Sequence, residues 1–167
     1  ELWEMYVLSI LRKAAAPLTV THGTRDKSVT KKLLHSDVSG QGLGTLIPDA
    51  ILFSGSTIRG VVDAKYKSLH PSASSPNGPQ RDDLYQMAAY LGRFQSPAGM
   101  VTWGLLAYPF DPSKPGTPNA EQSSPWSLDD RKKIGFATLP HNPADAVAKF
   151  RSLLMQVATT TPWSARA

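Results

Sequence analysis

The sequence predicts an α/β domain, with helices packed around one mixed β-sheet. Three observations lead there. Helix-like and strand-like segments follow one another along the chain in the order helix, strands, helix, strand, strand, helix. Two β-rich runs, residues 46–53 and 58–66, flank the compact turn Ser54-Gly55-Ser56-Thr57, which is a hairpin signature. A strongly apolar run at residues 100–108 has the length and composition of a buried strand.

The elements read in order as follows. Residues 2–11 form an amphipathic helix, with Leu2, Trp3, Met5, Tyr6 and Ile10 at helical spacings. Pro17 ends it, because proline cannot continue the backbone hydrogen bonding. Residues 18–22 alternate with β-branched residues and read as a strand, residues 29–34 as a further strand, and residues 39–44 as a Gly-rich turn. Beyond the hairpin, residues 68–80 are rich in Ser, Pro, Asn and Gly and read as a mobile loop. Residues 82–94 read as a helix with Leu84, Met87, Ala88 and Leu91 on its buried side, and Asp82 or Asp83 serves near its N-terminus as cap or dipole partner. Residues 109–127 form a second long loop, 133–139 a short strand and 143–157 a closing amphipathic helix.

Composition narrows the class. At 167 residues the chain fits a single domain spanning 1–167, large enough to bury a core without staples. It is 41% hydrophobic and 19% charged, the balance of an ordinary soluble domain. No stretch approaches the ~20 apolar residues of a membrane span. No signal peptide is visible, and the sequence opens inside a helical pattern, so it reads as a fragment of a longer chain. The absence of cysteine removes disulfides, thiolate nucleophiles and cysteine-type zinc sites, and suits a reducing, cytoplasmic setting. The four histidines are scattered without ligand-like spacing. A net charge of +5 and a pI of about 9.6 favour a polyanionic partner.

The chemistry concentrates on the hairpin. Asp63, Lys65 and Lys67 lie at i, i+2 and i+4, so on a strand they share a face. Asp49 is on the partner run and falls opposite Val62 or Asp63, which brings the two carboxylates within about 5–8 Å. Close carboxylates repel unless a positive charge lies between them. An oxygen-only donor set, to which the Ala64 carbonyl can contribute, favours Mg²⁺ or Mn²⁺ over zinc. Lys65 beside such a cation can orient a water for attack on a phosphodiester. An ordinary salt-bridged surface hairpin has the same spacing. Gln86 and Tyr90, at i and i+4 of the following helix, can hold a phosphate oxygen or a water, or can simply be interface residues. Lys31-Lys32 and Arg131-Lys132-Lys133 are either solvated faces or phosphate contacts beside the cleft.

Taken together, Pro48-Asp49, Asp63-Ala64-Lys65 and Gln86-X-X-X-Tyr90 resemble the PD-(D/E)XK nuclease superfamily, the last element its RecB-like branch. More closely, the strings IPDAILF, VVDAKYK and DLYQMAAYL resemble the nuclease domain of the McrC family, partner of a GTP-driven AAA+ motor in modification-dependent restriction. ELWEMYV resembles that family's first helix, and residues 100–109 its later strand ending in Tyr-Pro. The likeness runs from Glu4 to about Leu139 and leaves out the loops at 68–80 and 110–127. It implies a restriction-endonuclease-like core and a Mg²⁺-dependent endonuclease acting on DNA. In that reading Asp49, Asp63, the Ala64 carbonyl and Glu4 (with Glu1 as its rival) hold the metal, Lys65 positions the water, Gln86 assists at metal or phosphate, Tyr90 supports it, and Lys67 meets DNA. Two other readings stay open: an inactive nucleic-acid-binding or assembly module on the same fold, and a different DNA-processing nuclease such as an exonuclease or transposon-end cutter.

Overall fold

The computed structural model describes residues 1–23, 29–98, 100, 102–114 and 116–159; Val101 and Pro115, which fall in segments read above, lie outside the described residues. The elements run α1 (Leu2–Ala14), β1 (Thr19–His22), β2 (Lys31–His35), β3 (Gly42–Leu46), β4 (Ala50–Ser54), β5 (Thr57–Ala64), α2 (Arg81–Arg93), β6 (Thr102–Pro109), α3 (Asn119–Gln122), β7 (Trp126–Asp129), β8 (Lys132–Leu139) and α4 (Pro143–Thr159). A six-stranded mixed sheet has the order β1-β4-β5-β6-β8-β7, with β5, β6 and β8 parallel and the remaining neighbours antiparallel. The expected α/β architecture is therefore present, and it is compatible with a restriction-endonuclease-like core.

Strand pleating divides the core in two. On β4, β5 and β6, Leu52, Val62, Leu105 and Ala107 face a layer made by α1 and α4. Ile51, Val61, Leu106 and Tyr108 face the opposite layer, made by α2 and α3. Because β6 is covered on both sides it reads as a continuous apolar run. Asp63 lies between Val62 and Ala64 on β5, so it projects to the α2 side with Val61.

Several local expectations differ from what forms. On α1 the buried stripe is Trp3, Val7, Leu8, Ile10, Leu11 and Ala14, while Leu2 and Met5 are exposed. Both stripes have helical spacing, and the sheet selects the one that meets α4 and β6. The Gly-rich segment expected as a turn instead contributes β3, which pairs with β2 in a separate two-stranded hairpin. The turn sits at residues 36–41, where Ser36 Oγ accepts from the Val38 and Ser39 N–H groups and Gly40 takes a positive φ of 71°. The run 46–53 accordingly breaks at Ile47-Pro48-Asp49: Leu46 belongs to the hairpin and β4 begins at Ala50. Pro48 has no N–H to give to a ladder at that break.

On α2, Tyr90 joins Met87 and Leu91 in the core, and Leu84 and Ala88 are only half-buried. The loop at 68–80 is tied down by a Ser72–Ser75 bridge, by Ser75 Oγ donating to the Pro79 carbonyl at 2.7 Å, and by buried Leu69. The second long loop contains α3 and runs into the edge strand β7, whose apolar/polar alternation is only four residues long and wholly exposed. Among the described residues, no helix is long and apolar enough to cross a membrane.

Gly60 tests the packing of the α1/α4 layer. A Cβ there would overlap the ring of Trp103, which is fully buried. Gly60→Ala is expected to cost about 1–3 kcal/mol in urea unfolding. Gly92→Ala, on the exposed side of α2 with nothing nearby, is expected to be neutral or to stabilise by about 0.5–1 kcal/mol. Equal melts for wild type and Gly60→Ala would contradict this packing.

Candidate active site

The site residues meet where parallel β5 and β6 end, beside the start of β4, the crevice in which open α/β sheets commonly bind ligands. The β4/β5 register pairs Ala50 with Val62, which sets Asp49 beside Asp63. Asp49 is held through its backbone and its side chain: its carbonyl accepts from the Gly23 N–H at 3.2 Å, and its Oδ2 accepts from the Ala64 N–H at 2.7 Å. Burial is the main influence on its acidity, pushing the carboxyl up to about 6; the charges of Asp63 and Glu4 act the same way, and the Ala64 N–H and Lys65 oppose them.

Asp63 is buried, and burial raises its carboxyl as well, with Lys65 pulling it back down. Its Oδ2 meets the Lys65 ammonium as an ion pair and makes no well-directed hydrogen bond. Lys65 lies one residue past β5 and extends the ladder by donating its N–H to the Ala107 carbonyl at 2.8 Å. Its Nζ also donates to Gln86 Oε1 and stands 3.7 Å from Asp83. Gln86 Nε2 donates to the Tyr90 hydroxyl at 2.8 Å, and that hydroxyl donates to the Ile47 carbonyl at 3.1 Å. Burial and the neighbouring Asp63 charge keep the Tyr90 phenol protonated. A continuous chain of polar contacts thus joins Lys65, α2 and the segment just before Asp49.

Glu4, on α1, is close enough for its charge to raise Asp49, and its side chain is partly exposed. Glu1, its rival, has a fully exposed side chain. Among the described residues no group of three His, Asp or Glu side chains converges tightly enough to form a metal cluster. What the crevice offers is a carboxylate pair, one of them with a buried oxygen lacking a directed hydrogen bond. That donor chemistry fits a hard divalent cation.

The basic residues separate. Lys67 borders the site, pairing with Asp83 at 2.8 Å and donating to Gln80 Oε1 at 2.8 Å. Lys31 and Lys32 are on β2: the first lies 5.7 Å over the Phe94 ring, and the second donates to Thr45 Oγ1 at 2.5 Å. Arg131, Lys132 and Lys133 are not beside the cleft. Lys132 and Lys133 are in register with Thr102 and Trp103, and thence with Gly60, at the opposite end of the strands from Asp63. Lys133 is buried, its Nζ donating to Ser127 Oγ at 2.6 Å, which removes it as a phosphate contact; Lys132 pairs with Asp129, and Arg131 reaches the Pro97 carbonyl. Sequence shows such a charge run but not which end of the sheet it occupies.

Two participants went unrecognised in sequence. Asp83 is buried, and Tyr108 donates its hydroxyl to Asp83 Oδ2 at 3.0 Å. The available signal was helical phase: Asp83, Met87 and Tyr90 fall at i, i+4 and i+7, so a carboxylate occupies the apolar stripe of α2. Nor does Asp83 serve as the helix cap: Gln80 is the N-cap, and no side-chain capping hydrogen bond forms.

The raised Asp49 value has a consequence for stability. The native state binds this proton more tightly than the unfolded chain, whose value is near 3.8. Its contribution to stability is therefore full below about pH 4 and is lost as pH rises through about 6. Asp63 shifts in the same direction. In EDTA, Asp49→Asn is expected to melt higher than wild type at pH 8 and to lose part of the difference between pH 5 and pH 8. Parallel melting curves for the two proteins across that range would contradict the assignment.

No curated protein sequence matches the chain. Its fold resembles a chain in the refined half-complex of a tetradecameric assembly of Thermococcus gammatolerans McrB AAA+ hexamers with bound McrC. The TM-score is 0.60 at 17% identity, covering 93% of this chain and 32% of that one, so the present chain spans about a third of the matched chain's length. At that identity the likeness bears on fold alone. The family model described as McrBC 5-methylcytosine restriction system component matches residues 1–109, a stretch that holds Glu4, Asp49, Asp63, Lys65, Gln86 and Tyr90, and the chain belongs to that family.

Proposed function

We propose that this chain is the DNA-cleaving domain of a McrBC-type restriction system: a metal-dependent endonuclease of the PD-(D/E)XK type with a RecB-like Gln-X-X-X-Tyr element. The observation that carries the reading is the Lys65 ammonium, held between Asp63 and Gln86 beside a second carboxylate, Asp49, whose acidity is suppressed by burial and by its neighbours. Retention of the acids, the lysine and the glutamine in one connected cluster favours an active enzyme over a decayed binding module.

Asp49, Asp63, the Ala64 carbonyl and Glu4 would hold Mg²⁺, for which Mn²⁺ can substitute. When bound, the cation supplies Lewis-acid neutralisation of charge on the attacked phosphate. Lys65 donates hydrogen bonds and holds the attacking water in line with phosphorus. The water oxygen bonds to phosphorus as the bond to the departing sugar oxygen breaks; the water's proton passes to solvent and the departing oxygen takes up a proton from solvent to leave as a hydroxyl. Gln86 fixes the Lys65 amine through its carbonyl oxygen, and Tyr90 fixes Gln86 by accepting from its amide. Lys67 at the border contacts the DNA backbone, as do Lys31 and Lys32 on the hairpin, without reading sequence. Specificity for modified DNA then belongs to other parts of the system. An AAA+ GTPase is the natural partner, since the structural neighbour is an assembly of McrB AAA+ hexamers with McrC. A cysteine-free chain suits the cytoplasm, where such a complex would meet DNA.

The direct test uses the full-length protein with its AAA+ partner and GTP on 5-methylcytosine-containing plasmid. Cleavage is expected with Mg²⁺ or Mn²⁺ and to stop in excess EDTA. Asp63→Ala and Lys65→Ala are each expected to abolish it; the apo melt is expected to be unchanged or raised in Asp63→Ala, which removes a desolvated carboxylate, and lowered in Lys65→Ala, which leaves the acids without their ammonium partner. Undiminished cutting in EDTA would overturn the reading, and a collapsed Asp63→Ala melt would favour a purely structural salt bridge.

Gln86→Ala addresses positioning. Gln86 is exposed, so loss of its positioning hydrogen bond is expected to cost at the low end of the range for such bonds, on the order of 2 kcal/mol of transition-state stabilisation, or roughly 30-fold in rate. Single-turnover cleavage is expected to slow by that factor while Mg²⁺ affinity stays near wild type. A wild-type rate would return Gln86 to a packing role.

A further inference from the structure

Asp83 has no part in the chemistry above, yet it is buried in the first turn of α2, and its partners come from the segment just past β5 and from β6. Its Oδ1 stands 2.8 Å from Lys67 Nζ and 3.7 Å from Lys65 Nζ, and its Oδ2 accepts the Tyr108 hydroxyl at 3.0 Å. Burial and the adjacent Asp83 and Asp63 charges push the Tyr108 hydroxyl above its ordinary range, so it remains a protonated donor. A buried carboxylate is costly unless paired and hydrogen-bonded, and here every partner lies outside its own helix. A lysine side chain is long and flexible, and holding its ammonium in one place requires more than one contact. Asp63 is a single charged contact for Lys65, and Gln86 is neutral.

Building on the nuclease reading of this crevice, we propose that Asp83 is a positioning residue. Anchored by Tyr108, it clamps Lys65 and Lys67 together, so that the lysine assigned to the attacking water and the lysine assigned to the DNA backbone are placed by the same carboxylate. Asp83 itself touches neither the water nor the metal. This explains why a charged residue occupies the apolar stripe of α2, and it couples α2 to the carboxyl ends of both β5 and β6.

The test combines a readout independent of activity with one that depends on it. In the metal-free full-length protein, the acylation rate of Lys65 by a limiting amine-reactive ester is followed by peptide mass spectrometry. Only the neutral amine attacks the ester, and a lysine freed from a carboxylate presents that form more often and is more accessible, so Asp83→Asn, which retains volume and an acceptor for Tyr108, is expected to raise Lys65 labelling several-fold. In the cleavage assay with the AAA+ partner, the same variant is expected to lower kcat roughly 10- to 100-fold, with the Mg²⁺ concentration for half-maximal rate unchanged. Tyr108→Phe keeps the Asp83 charge and removes its anchor; it is expected to give a smaller change in the same direction in both assays, and it carries the test should Asp83→Asn fail to fold. Unchanged Lys65 labelling would overturn the clamp, and a shifted Mg²⁺ requirement would make Asp83 a metal ligand instead. A wild-type protein that fails to cut would sink the nuclease reading alone, because the labelling result still decides the clamp.

Discussion

Desolvated carboxylate charge at the carboxyl end of β5 is the constraint around which the rest of the site is arranged. Asp49 and Asp63 are both harder to ionise than in water, and burial is the main cause for each. Keeping them side by side requires a backbone that cannot yield. Part of that rigidity comes from the β4/β5 ladder, which ends with Ala50 opposite Val62. Part comes from Gly23, whose N–H holds the Asp49 carbonyl and where a Cβ would overlap the Pro48 carbonyl oxygen. Glycine is needed at that position for close backbone approach. The opposing force is the Lys65 ammonium, itself fixed by Asp63, Gln86 and Asp83.

The two core layers have different parts in this arrangement. The α1/α4 layer brings Glu4 to the crevice from the far side of the sheet; Trp3 anchors that helix by burying its ring and donating its indole N–H to the Ala107 carbonyl at 3.3 Å. The α2 layer brings Asp83, Gln86 and Tyr90, anchored by Met87 and Leu91. Ala107 is a shared support, because its carbonyl also accepts the Lys65 N–H. Packing on each face is therefore coupled to the position of the acids and the lysine.

Much of this was legible in the sequence, for identifiable reasons. The β5 strand and its turn were clear because β-rich runs flank a short Ser/Gly turn, and the period of 2 put Asp63 and Lys65 on one face. Strand β6 was clear because burial on both sides leaves no polar interruption. The choice of face on α1 and α2 was not legible. Leu2 and Met5 compete with Val7 and Leu11 at equal helical spacing, and only the sheet decides between them. Elements such as β3, α3 and β7 are only four or five residues long, too short for periodicity or composition to mark them. The burial of Lys133 depends on Ser127 from a neighbouring strand six residues away, and no charge run announces such a partner.

The proposed role of the Asp49/Asp63 pair is to hold a hard divalent cation. Paramagnetic resonance of Mn²⁺ titrated into the metal-free protein tests it most directly, with Asp49→Asn and Asp63→Asn alongside. Saturable Mn²⁺ binding by wild type is expected, competed by Mg²⁺ and strongly weakened in both variants. Mn²⁺ binding that is absent in wild type, or equally strong in both variants, would contradict it.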